Sequence, residues 1–160
     1  EAATPGEAES PVEELVAPTV EEPAAPAAEA FEERDPELVE IFLEEGFDIL
    51  DSAAAALQRW IDDVDNTIEL EALQRDLHTL KGGARMAEIG EIGDLAHELE
   101  ALYEGLVDRR YQHSPQLAGL LQACHDRLAE QLDQLSAGQP LADPHDLIQS
   151  IRRFRQGPLA

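Results

Sequence analysis

The sequence is poor in positive charge. Only 11 Lys+Arg stand against 35 Asp+Glu, giving a formal net charge of -24 and a pI near 4.2. Such a chain is repelled by phosphate backbones and anionic lipid surfaces, which argues against nucleic-acid and membrane partners. A protein partner with a basic or metal-bearing face is easier to reconcile with this charge. Cysteine is equally scarce. Cys124 stands alone, so no internal disulfide forms, which fits a reducing compartment such as the cytoplasm. No stretch approaches the roughly 20 apolar residues that span a membrane, and no basic region followed by an apolar core resembles a signal peptide. Runs of Val, Ile or Thr alternating with polar residues are missing, while Leu, Ala and Glu dominate. That composition argues against a sheet-based fold and favours an all-α one. The first residue is Glu1 rather than methionine, so the expectation is a piece of a longer protein. With 160 residues there is room for one modest domain plus extra sequence.

Residues 1–30 contain eight glutamates, five prolines and no basic residue. A self-repelling segment with few large apolar groups and frequent proline reads as a disordered acidic linker. The folded part is expected from Phe31. Asp35 is a plausible N-cap and Pro36 suits the first helical position. From there Val39, Phe42, Gly46, Ile49, Ala53, Leu57, Trp60 and Val64 recur at spacings of three or four, with Leu50, Ala54 and Ile61 widening the stripe. This predicts one helix of about 27 residues with a single apolar face. Gly46 weakens its interior by about 1 kcal/mol relative to alanine, and close approach of another helix would explain it.

A second helix is expected after Asn66, which forms a capping-box pattern with Glu69, although Thr67 is an alternative cap. Leu70, Leu73, Leu77, Leu80 and Ala84 mark its buried side. The pattern breaks near Gly90, and a third helix runs from Glu91 to Val107 with Ile92, Leu95, Leu99, Leu102 and Leu106 inward. Ser114 and Pro115 announce a fourth, burying Leu117, Leu121, Cys124, Leu128, Gln131 or Leu132, and Leu135. Asp143 and Pro144 open a short final segment with Leu147, Ile148, Ile151 and Phe154 available for docking. About 12 residues are too few to be stable alone, so its attachment to the rest stays open. The predicted architecture is an antiparallel up-down-up-down four-helix bundle. In domain terms it comprises the linker 1–30, a bundle over 31–137, and a linker with a short accessory helix over 138–160.

The chain's one lysine lies in "HTLKGG", residues 78–83. On a helix, Lys81 and Gly82 fall one turn beyond His78, Arg75 lies three residues before it and Arg85 two turns after it, while the leucines point elsewhere. His78 therefore belongs on the wet side. A neutral imidazole is a competent nucleophile at cellular pH. Lys81 and Arg85 can offer cationic donors to an incoming phosphoryl group, and Gly82 and Gly83 clear space for a partner's approach. Two interior glycines disfavour the helix by roughly 2 kcal/mol. A glycine C-cap is the plainer explanation, but Ala84 and Met86 continue the helical composition. A reactive surface histidine, a partner-docking patch and a solvated helix face all fit these residues. On the next helix His97 and Glu100 are three apart. Glu100 could accept a hydrogen bond from Nδ1–H of His78 and leave Nε2 free, or it could belong to an ordinary polar face with Glu104.

"RDLHTLKGGARMAEIG" resembles the signature of histidine-containing phosphotransfer domains, especially those that begin chemotaxis-type histidine kinases. The resemblance covers roughly residues 35 to 136 and is most specific at "HTLKGGA". It implies a four-helix bundle with His78 as phosphoacceptor, Lys81 as its cationic neighbour, Gly82 and Gly83 as the small residues, and Gly90 closing the motif. It also implies that His97 and Glu100 are the histidine–glutamate pair of the next helix, with Glu100 bonded to the reactive imidazole. The acidic leader and "HTLKGGARM" further resemble one module of large kinases with several such domains that control type IV pili and twitching motility.

The expected function is that of a phosphocarrier. His78 would exchange a phosphoryl group with a response-regulator receiver aspartate, or receive it from a histidine kinase catalytic domain in cis or in trans. The chain has no G-x-x-x-x-G-K-[ST] phosphate loop and no convincing Mg²⁺ cluster beside His78. No cofactor or metal is expected on this domain, and ATP and Mg²⁺ belong on its partners. Neither ATPase nor autonomous kinase activity is expected. One exposed histidine needs no dimer, so a monomer is expected. The competing reading is a phosphate-independent signalling adaptor using the same helix face. A di-iron bundle would need a second carboxylate-x-x-histidine element beside Asp94-x-x-His97, and Arg75-x-x-His78 cannot supply it. His113, His125 and His145 are expected in surface or boundary roles, Cys124 as a small core residue, and Trp60 in packing.

Overall fold

The computed structural model describes residues 34–157. The expected disorder of residues 1–30 lies outside the described residues. Five helices follow one another: α1 (Pro36–Asp62), α2 (Thr67–Met86), α3 (Gly90–Val107), α4 (Pro115–Ser136) and α5 (His145–Gln156). No helix among the described residues is long and apolar enough to cross a membrane.

Local chemistry sets most boundaries. Asp35 Oδ1 accepts from Glu37 N at 2.9 Å ahead of Pro36, and Ser114 Oγ accepts from Leu117 N at 3.1 Å ahead of Pro115. Such caps satisfy amides that the helix leaves unpaired. At α2, Asn66 is the cap and accepts from Ile68 N at 3.1 Å. The expected capping box does not form, because Asn66 caps the Ile68 amide rather than that of Glu69, and Glu69 pairs with Arg59 at 3.0 Å instead of returning to the Asn66 amide. The break before α3 is not made by Gly90. Glu88 takes the left-handed conformation at φ 61°, with Glu88 N bonded to Arg85 O and Ile89 N to Ala84 O. That pattern closes a helix and normally uses glycine.

In the bundle, α1 and α3 each pack against both α2 and α4, and the short connections make consecutive helices antiparallel. Leu73, Leu77 and Leu80 of α2, Leu95, Leu99 and Leu102 of α3, and Leu121, Leu128 and Leu132 of α4 share one core, all fully buried. Each such side chain contributes about 1.5–3 kcal/mol by leaving water. Gly46 has the reason expected of it: a Cβ there would lie 3.3 Å from Leu132 Cδ1 of α4. Two positions of the α1 stripe differ from expectation. Ala54 is exposed, and Val64 lies beyond the helix end and is also exposed.

The attachment of α5, left open by the sequence, is resolved. It packs on α3 and α4 through Ile148 and Ile151. It covers the α3 flank that carries Glu98 and Gly105, while Ala96 and Tyr103 are buried on the opposite flank of the leucine stripe. Arg152 crosses from α5 to Glu98 at 2.7 Å.

Candidate functional site

The buried leucines of α2 orient its opposite side outward. Leu77 and Leu80 are sealed in the core, while the His78 side chain is 67% exposed. Glu100 approaches from α3, and its Oε2 lies 2.9 Å from His78 Nδ1. Lys81, one turn after His78, brings Nζ to 2.6 Å from Glu100 Oε1, close in distance though outside hydrogen-bond alignment. One carboxylate thus bridges a histidine and a lysine. Glu100 and Lys81 are only 15% and 16% exposed, so the pair supports the ring from below while the ring faces solvent.

Electrostatics fix the proton. Burial pushes the Glu100 carboxyl up, but Lys81 first and His78 second outweigh it and hold its pKa below the ordinary value. An ionised carboxylate only accepts, so His78 Nδ1 carries the hydrogen and Nε2 presents a lone pair. Among the described residues Nε2 has no protein partner. The arrangement can therefore offer a nucleophile to an incoming electrophile and stabilise positive charge on the ring afterwards.

The remaining expected site residues divide. Arg85 is exposed in the last turn of α2, about 10 Å along the axis from His78, and its stem lies against Gly93. Arg75 is exposed, and its carbonyl accepts from Thr79 Oγ1 at 3.0 Å. His97 is exposed on α3, and no hydrogen bond among the described residues joins it to His78 or Glu100. The two glycines also separate. A Cβ at Gly82 meets nothing within 4 Å, whereas one at Gly83 would lie 3.1 Å from Phe42 Cδ1 of α1. Gly82 borders open space. Gly83 lets α1 and α2 approach, a packing role the sequence reading did not assign it.

His125 corrects the expectation of a surface or boundary role. It is 6% exposed, and its Nε2 lies 2.8 Å from the Tyr103 hydroxyl. Burial pushes its pKa down to about 4. Cys124 is fully buried, and burial pushes its thiol up to about 12, so it stays protonated. His145 is exposed and bonds Asp143, while His113 leans edge-on against Trp60 at 5.4 Å. Among the described residues no three His, Cys, Asp or Glu side chains are grouped to hold a metal. Sequence reasoning missed Glu98, whose Arg152 partner is 54 residues away, beyond any local spacing signal.

Comparison with known proteins agrees with this fold. The profile of the Hpt domain matches residues 37–150. Chemotaxis protein CheA of Borreliella burgdorferi is 27% identical over 119 residues, covering 74% of this chain and 14% of that protein. CheA of Cereibacter sphaeroides is 30% identical over 105 residues, covering 60% and 15%. CheA of Treponema pallidum is 29% identical over 93 residues, covering 58% and 12%. The chain thus spans only 12% to 15% of the length of these relatives. Among solved structures, the phosphorylated P1 domain of CheA3 in complex with CheY6 from R. sphaeroides superposes with a TM-score of 0.67 at 21% identity. That match covers 75% of this chain and 96% of the other.

Proposed function

The chain belongs to the Hpt-domain family, and from that premise we propose that it is a phosphocarrier whose acceptor is His78. The observation that carries this reading is the exposed ring with Nδ1 held 2.9 Å from Glu100. In the forward step the Nε2 lone pair forms a P–N bond as the donor's P–O bond breaks, and the electron pair leaves with the donor oxygen. The ring becomes cationic, and Glu100 stabilises that charge through Nδ1–H. In the return step a carboxylate oxygen attacks phosphorus, and the P–N electrons go back to Nε2. Lys81 fixes Glu100 and lends positive charge to the phosphoryl oxygens, with Arg85 as a second cation. Gly82 leaves room for the partner.

The solved relative is a phosphorylated P1 domain of CheA3 in complex with CheY6. That supports a response-regulator receiver as the exchange partner here, with a histidine kinase catalytic domain as donor. ATP and Mg²⁺ then reside on those partners. We read residues 31–137 as the phosphotransfer unit, with α5 as its accessory helix, in the cytoplasm. The acidic leader and "HTLKGGARM" support a narrower placement, as one module of a kinase controlling type IV pili and twitching motility.

The test is radiolabelled transfer from the cognate kinase or phosphorylated receiver. The expected product is an acid-labile label on His78 that is absent from His78→Gln. Equal labelling of wild type and His78→Gln defeats the assignment, and receiver binding without any label favours an adaptor.

A further inference from the structure

A groove lies on the other flank of α3. Glu98 and Glu100 are two residues apart on that helix and so point about 200° apart. Glu100 faces His78 and Glu98 faces α5. On the Glu98 flank three neighbouring depressions share Tyr111, the largest about 860 Å³. Together they run from Val64 and Asp65 at the α1–α2 turn, past Arg109, to Arg153 and Phe154 on α5.

Five of the chain's 11 Lys+Arg border this groove: Arg109, Arg110, Arg152, Arg153 and Arg155. Asp108 pairs with Arg110 at 3.0 Å, and Glu98 takes Arg152 at 2.7 Å and Arg155 at 3.8 Å. Glu104 and Asp94 act on Arg110 and Arg152 at longer range. Among the described residues no ion pair engages Arg109 or Arg153. In a chain of net charge -24, this local surplus of guanidinium stands out.

The floor is rigid. A Cβ on Gly105 would overlap the Tyr111 ring, which therefore lies directly on the α3 backbone. That ring packs on Phe154 at 5.6 Å, and its hydroxyl accepts from Arg155 Nε at 3.2 Å. Arg109 holds φ 62°, a conformation glycine normally takes at a helix end. An elongated, aromatic-floored groove rimmed by guanidinium suits an extended acidic chain better than a compact ligand. We propose that it docks an acidic peptide segment of a partner protein, with carboxylates on Arg109, Arg110 and Arg153 and an apolar side chain over Tyr111 and Phe154.

Fluorescence anisotropy of the full 160-residue chain with a labelled, glutamate-rich decapeptide carrying a central Leu–Phe pair tests this. Saturable binding is expected, weakened by salt and retained in His78→Gln. The double variant Arg109→Gln/Arg153→Gln should bind about tenfold more weakly with an unchanged melting curve, since neither residue holds a carboxylate. No binding, equal binding of the double variant, or equal binding of the glutamine-for-glutamate peptide overturns the proposal. Preferential binding of ATP over the peptide overturns it too, and reassigns the groove to a nucleotide.

Discussion

His78 stands with 67% of its side chain exposed and an ionised carboxylate behind Nδ1, whereas His125 is 6% exposed with a phenol at Nε2. Both are single histidines on long helices, and both have one ring nitrogen engaged. The difference is what the other nitrogen meets. On His78 it meets solvent; on His125, Nδ1 is buried with no partner among the described residues. Burial holds the second ring neutral, while a carboxylate and an open approach leave the first able to act as a nucleophile. Composition alone does not distinguish them.

The sharpest way to break this contrast is to exchange the outcomes. His78→Gln is expected to abolish phosphoryl labelling, while His125→Gln protein that remains folded keeps it. Label on the second histidine in the first variant would erase the distinction. Next in size, Glu100→Gln keeps a hydrogen-bond acceptor but loses the charge. Transfer is expected to slow by about 10- to 100-fold, as when an orienting partner of a histidine is removed, with circular dichroism unchanged.

Acid should act on the two histidine regions through different groups. The folded pKa of His125, about 4, lies below the ordinary histidine value near 6.5. The unfolded chain therefore takes up the proton first. Stability is complete above about pH 6.5 and falls as pH drops toward about 4. Urea unfolding should show a loss of about 2 kcal/mol between pH 7.5 and 5, and His125→Phe should flatten that slope. Glu100, whose pKa is depressed, contributes stability above its unfolded value and loses it only as pH falls through the lower folded one. An unchanged slope in His125→Phe assigns the acid sensitivity elsewhere.

The smallest expected effect concerns the adjacent glycines. Gly82→Ala should raise stability by about 0.8–1 kcal/mol, because its Cβ enters open space on a helix. Gly83→Ala should gain less or lose, because its Cβ crowds Phe42. If Gly82 clears the partner's path, Gly82→Ala also slows transfer while melting at higher temperature. Equal thermal shifts for both variants would remove the packing distinction.

These contrasts also mark what the sequence could reveal. The α2 stripe from Leu70 to Ala84 was legible because helical spacing and burial are both local, as were the caps at Asp35, Asn66 and Ser114. The helix ends at Glu88 and Arg109 were not, since each takes a positive φ without the glycine that would signal it. His78, Lys81 and Gly82 could be grouped from spacing on one helix. Glu100 is 22 residues from His78, so its placement needed either the family resemblance or the register between α2 and α3. His97 stands at a matching position and is exposed, without a hydrogen bond to His78 or Glu100 among the described residues. Glu98 depends on Arg152 of α5 and His125 on Tyr103 of α3, contacts no single helix encodes.

The orientation of the His78 ring is tested most directly by nuclear magnetic resonance of the ¹⁵N-histidine-labelled, phosphorylated chain. The expected result is phosphorus coupled to Nε2 of His78, with Nδ1 still protonated and lost from that state in Glu100→Gln. Phosphorus on Nδ1, or on any other histidine, would contradict it.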